Sequence, residues 1–90
     1  MDETTRVYAE AEFINAVNTH IPETASFTDA SLLGAGSAFC DSMDRGDSLQ
    51  AGFIVVAGLL PNLPSTDAVA YLSSDASLWL CPEHAPGATG

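Results

Sequence analysis

Thr28-Asp-Ala-Ser-Leu-Leu-Gly-Ala-Gly-Ser-Ala-Phe-Cys-Asp-Ser-Met-Asp-Arg-Gly46 reads as one helix with both of its ends marked. Thr28 is a good N-cap, because its hydroxyl can accept a free N–H of the first turn. Asp29 then sits favourably against the positive end of the helix dipole. Leu32, Gly36, Phe39, Cys40 and Met43 recur at three- and four-residue spacing and define an inner face. Gly46 suits the C-cap, where a positive φ is needed. Gly34 and Gly36 each cost about 1 kcal/mol of helix propensity, which the close approach of a neighbouring helix would justify. Directly beyond, Asp47 is placed to cap a third helix, with Gln50 three residues on as in a capping box. Leu49, Phe53, Val56, Ala57 and Leu60 share one face of that helix, and Ile54 and Val55 broaden it. A helix apolar almost all round is expected at the centre of a fold.

Two more helices flank this pair. The first is expected from about Arg6 to Thr19, with Val7, Ala11, Ile14 and Val17 as its stripe and Phe13 widening it. Ile21-Pro22 ends it, since the residue before a proline is pushed out of the helical region. Pro22 to Phe27 reads as a loop. Pro61-Asn-Leu-Pro64 is a turn, after which Ser65 or Thr66 caps a fourth helix with Val69, Leu72, Ala76, Trp79 and Leu80 inside. Pro82 stops it. No stretch alternates cleanly over six residues, so strands are not expected. The fold class is all-α: a compact bundle of about four short helices. It forms a single domain over residues 6–82, between a disordered tail at 1–5 and a flexible tail at 83–90.

The chain has 90 residues, 47% of them apolar, which is the composition of one globular domain. Twelve carboxylates face only Arg6 and Arg45, for a net charge of −10. Nucleic acid is excluded as an ordinary partner, because phosphate binding needs lysine and arginine to displace counterions. An anionic membrane surface is disfavoured on the same ground. The apolar run Ala51–Leu60 is far shorter than the roughly 18 residues that span a bilayer, so no membrane insertion is expected within this chain. Met-Asp-Glu-Thr-Thr has neither the basic start nor the apolar run of a signal peptide. Either the protein is cytoplasmic or an export segment precedes Met1.

Cys40 and Cys81 are the two cysteines, and neither belongs to a Cys-x-x-Cys pair. An even pair in a small domain favours a disulfide and hence an oxidising compartment. Two buried free thiols remain open, as does a zinc site completed by His20 and His84. Bridging about 41 residues would contribute roughly 4 kcal/mol by chain entropy.

The stretches Gly36–Gly46 and Ala76-Ser-Leu-Trp-Leu-Cys-Pro-Glu-His-Ala85 resemble the actinobacterial domain of unknown function 732. That family has a Phe-Leu-rich first helix, a Gly-x-x-x-Cys-x-x-x-Asp-x-Gly pattern and a last helix ending in Tyr-Cys-Pro. Glu12-Phe13-Ile14 fits the first element. Gly36, Cys40, Asp44 and Gly46 fit the second, and Cys81-Pro82 the third, over roughly residues 8 to 85. Leu80 departs from the usual aromatic before the cysteine, and Trp79 is placed to fill that space. The resemblance implies a small exported or envelope-anchored protein of actinobacteria or their phages, with a Cys40–Cys81 disulfide. It brings no activity and no catalytic residues.

Chemistry-bearing constellations are sparse. The serines lie in no Gly-x-Ser-x-Gly elbow. His20 and His84 read as solvated surface residues. Asp41, Asp44 and Asp47 lack calcium-loop spacing and read as structural or solvated. Glu83-His84 suggests a metal hook with too few ligands. Met43, Tyr8 and Tyr71 read as ordinary helix residues rather than haem ligands. No catalytic, cofactor or metal residues are therefore assigned, and the protein is not expected to be an enzyme. The expected function is a non-catalytic extracytoplasmic module that binds a protein or envelope component, its oligomeric state open. The alternative is a carrier of a small apolar ligand, with a pocket near Phe39, Phe53 and Trp79. A structural stalk or oligomerising domain is a further reading.

Overall fold

The structure, a computed structural model, describes residues 2–84. Four helices follow one another: α1 (Glu3–His20), α2 (Asp29–Asp44), α3 (Leu49–Leu59) and α4 (Thr66–Trp79). Single 3-10 turns occupy Pro22–Ser26 and Pro82–His84, and there is no strand among the described residues. The expected all-α bundle is what forms. Each helix starts on a side-chain oxygen that accepts the N–H three residues on: Asp2 from Thr5, Thr28 from Ser31, Ser48 from Ala51, Ser65 from Ala68.

Two of these caps correct the sequence reading. Asp2 caps α1, so residues 3–5 form its first turn instead of a frayed tail. Ser48, not Asp47, caps α3, which leaves Gln50 short of the capping-box position. The Asp47 carboxylate instead accepts from the Ser42 hydroxyl at 2.9 Å and the Arg45 guanidinium at 3.0 Å. These bonds close the α2–α3 corner around Gly46, whose φ is +84°. At the other end, Pro82–His84 is an ordered turn, and the rest of the expected tail lies outside the described residues.

The inner face of α1 is Ala9, Phe13 and Val17, with Ile14 partly buried beside it; of the expected stripe, Val7 and Ala11 face outward. Gly36 sets this rotation. A Cβ there would lie 2.7 Å from Cζ of Phe13 and 2.8 Å from Cδ1 of Leu80, so the bare backbone of α2 accommodates both side chains. With Phe13 seated inward, Ala11 is turned about 200° away at about 100° per residue. Val7 is left exposed. Gly34 has nothing within 4 Å, so close packing explains only one of the two glycines.

The most apolar helix is not the central one. On α3 only Gly52 and Val56 are buried, while Leu49, Ile54 and Leu59 are 57%, 65% and 53% exposed. Gly52 brings α3 down on α2, since a Cβ there would meet the Phe39 ring at 2.8 Å. The opposite flank of α3 has no helix against it. The core is built instead around Phe13, Leu32, Phe39, Val56 and Leu72. α1 packs chiefly on α4, although α2 follows it in sequence, and α3 packs on α2 and α4. The sulfurs of Cys40 and Cys81 are buried at disulfide-bonding distance, with Cα atoms 5.9 Å apart. The bridge joins α2 to the second residue beyond α4.

Candidate functional site

The uncharged face of α3 and the hollow beside it form the candidate site. Leu49–Leu59 carries no charged side chain, whereas α1, α2 and α4 all carry carboxylates. The Pro61–Pro64 turn then bends the chain so that α4 starts alongside the end of α3. Between the two helices lies an open groove of about 500 Å³. Phe53, Ile54 and Ala57 form one wall, Leu60 and Leu63 the end, and Val69 the other wall. Gln50, Ser65 and Thr66 supply its polar rim. The groove sets the exposed Ile54 beside buried apolar residues in a chain whose net charge is −10.

The pocket expected near Phe39, Phe53 and Trp79 is partly realised. Phe39 and Phe53 stack at 6.4 Å and line a smaller crevice of about 110 Å³ with Met43, Leu49 and Ser73. Trp79 lies elsewhere, its ring edge-on to Tyr8 of α1 at 6.3 Å.

His20 is exposed and His84 half-buried, but each is paired with an aspartate. His20 Nδ1 lies 2.9 Å from Asp75 Oδ2, and its ring stacks on Tyr71 at 5.5 Å. Asp75 is 4% exposed. Burial pushes its pKa up, while the hydrogen bond and charge of His20 pull the other way. The pair ties the end of α1 to α4. No serine hydroxyl among the described residues hydrogen-bonds to it, so it lacks the nucleophile a triad requires.

His84 Nε2 lies 2.7 Å from Asp44 Oδ1. Asp44, Glu83 and His84 bring one donor atom each within 4.8 Å of one another. The Glu83-His84 hook thus gains a third polar partner from α2. Asp41, Asp44 and Asp47 do not act together, because Asp44 turns to His84 and Asp47 to Ser42 and Arg45. Sequence reading missed both histidine–aspartate pairs. Their members stand 55 and 40 residues apart, and no local pattern announces such a contact.

Comparison with protein-family models, with curated proteins and with solved structures found no match to this chain.

Proposed function

We propose that this domain is a non-catalytic extracytoplasmic interaction module that docks a basic, amphipathic segment of a partner protein on α3. The observation that carries this reading is the exposure of Ile54 at the wall of an apolar groove, on a helix without charge. The adjoining groove offers space for large apolar anchors, and buried anchors supply most of the energy of such contacts. Charge supports a basic partner. The chain carries −10, neither of its two arginines lies on α3 or α4, and Arg45 is already paired with Asp47. Asp67, in the first turn of α4, stands next to the groove residue Thr66. A cationic segment would be steered toward the chain at low salt, and the apolar contacts would hold it. The extracytoplasmic address is supported by the cysteine pair at disulfide distance and by the resemblance to the domain of unknown function 732.

The test is a titration with an amphipathic lysine–leucine peptide, followed by amide NMR shifts. Saturable shifts should centre on Ile54, Ala57 and Leu63 and weaken strongly in Ile54→Lys. A glutamate–leucine peptide of equal length should not bind. Shifts scattered over the acidic faces of α1 and α2, unchanged by Ile54→Lys, would refute the docking face.

A further inference from the structure

A second open hollow, of about 430 Å³, meets the apolar groove at Ser65, which lines both. Thr66 and Val69 face the groove, whereas Asp67, Ala68 and Tyr71 face the hollow. At about 100° per residue, these two groups lie on opposite sides of α4. Glu23 lines the hollow from the 3-10 turn that follows α1. The contact of His20 with Asp75 ties the end of α1 to α4 and so holds the two walls together.

This hollow is acidic and lacks a counter-charge. Glu23 and Asp67 are exposed carboxylates on separate elements, and neither forms an ion pair among the described residues. The chain has no lysine to offer them. Arg45 is paired with Asp47, and Arg6 lines a different hollow beside Leu80. His20 also lines the acidic hollow, but it is engaged with the buried Asp75. Tyr71, 51% exposed, offers apolar surface on which the stem of a long basic side chain can lie.

We infer, on the docking reading of α3, that one partner segment occupies both hollows: it crosses the chain at Ser65, with its apolar anchor in the groove and a lysine or arginine between Glu23 and Asp67. Continuity through Ser65 puts these carboxylates within reach of an anchored segment. A helix with its side chains is about 10 Å across, and an extended chain advances about 3.3 Å per residue. The basic residue therefore stands about three or four positions from the anchor. The groove selects an apolar residue, and the hollow selects where the charge lies relative to it.

The experiment titrates the full chain with three peptides, read by amide NMR shifts. One is the lysine–leucine peptide. The other two are serine-rich, each with one leucine pair and a single lysine placed either one or four positions from it. The four-position peptide should shift Glu23, Asp67 and Tyr71 as well as Ile54 and Leu63. It should bind about threefold to fivefold more tightly than the one-position peptide, the upper range for an exposed ion pair. Glu23→Gln and Asp67→Asn should each remove most of that advantage and leave the one-position peptide unaffected. Asp41→Asn makes the same change of charge on an exposed residue of α2 and should alter neither. The inference alone is overturned if the lysine–leucine peptide moves Ile54 and Leu63 while the two spaced peptides bind alike, or while Glu23→Gln and Asp67→Asn have no effect. If that peptide moves neither Ile54 nor Leu63, the docking reading falls and this inference with it.

Discussion

Reduction of the Cys40–Cys81 bridge should remove about a third or more of the stability of this domain. The two residues are 41 apart, and closing a loop of that length restrains the unfolded chain by about 4 kcal/mol. A domain of 90 residues has a total stability of roughly 5–13 kcal/mol at typical values per residue. The native state itself should change little on reduction. Both sulfurs lie 3.7 Å from the Ala76 carbonyl, so two thiols there would find a weak acceptor and would not be stranded. The loss therefore acts through the unfolded chain. The assay is urea unfolding followed by circular dichroism, with and without a phosphine reductant. At about 1 kcal/mol per molar urea, the midpoint should fall by about 4 M, or the reduced chain should be unfolded from the start. Intact mass after alkylation under denaturing conditions supplies the control: two alkyl groups should add only after reduction. A reduced midpoint within about 1 M of the oxidised one would refute the reasoning, since the loop entropy would then be offset in the native state. Labelling of both thiols before reduction, in protein made in an oxidising compartment, would refute it more directly.

Two further predictions use the same unfolding assay. Gly36→Ala should destabilise by about 1–3 kcal/mol, because its Cβ would enter the Phe13 ring and the Leu80 side chain. Gly34→Ala, two residues away with open space around it, should stabilise by about 0.5–1 kcal/mol; equal effects at the two sites would contradict the packing of α1 on α2. The pH dependence should divide at the unperturbed carboxylate value of 3.8. Burial raises the pKa of Asp75, so its contribution is full below 3.8 and is lost as pH rises through its folded value; Asp75→Asn should flatten the stability profile in that window. Asp2 and Asp47 are shifted down, by the Thr5 N–H and by the Ser42 hydroxyl with Arg45, so their contributions hold above 3.8 and fade as pH falls below it.

The parts of the fold legible in the sequence were those decided within one turn of chain. Thr28 and Ser65 cap because a hydroxyl reaches an N–H three residues on, and Gly46 turns because it alone tolerates its φ. Asp47 shows the limit of such reasoning. It has the chemistry of a cap, but Ser48 has it too, and Ser42 and Arg45 compete for the aspartate. Which face of α1 is buried could not be read from Val7 and Ala11, because the choice lies in a contact between Phe13 and Gly36. The candidate site was hidden for a related reason. Periodicity records how apolar α3 is, but not that only two of its neighbours come to cover it.

The exposed face of α3 and the buried bridge belong to one energetic arrangement. Full burial of a leucine or isoleucine side chain contributes about 1.5–3 kcal/mol. Leu49, Ile54 and Leu59 are each a little over half exposed, so together they forgo about 3–5 kcal/mol. That is close to the roughly 4 kcal/mol that the bridge contributes through the unfolded chain. The bridge also joins the two elements on which α3 rests, since Cys40 lies on α2 and Cys81 follows two residues after α4. With α2 and α4 fixed to each other, α3 can be held by Gly52, Phe53, Val56 and the contacts of Leu60, and Ile54 on its outer side stays available to a partner. Loss of the bridge should therefore cost partner binding as well as stability, because the platform under α3 is the element being loosened.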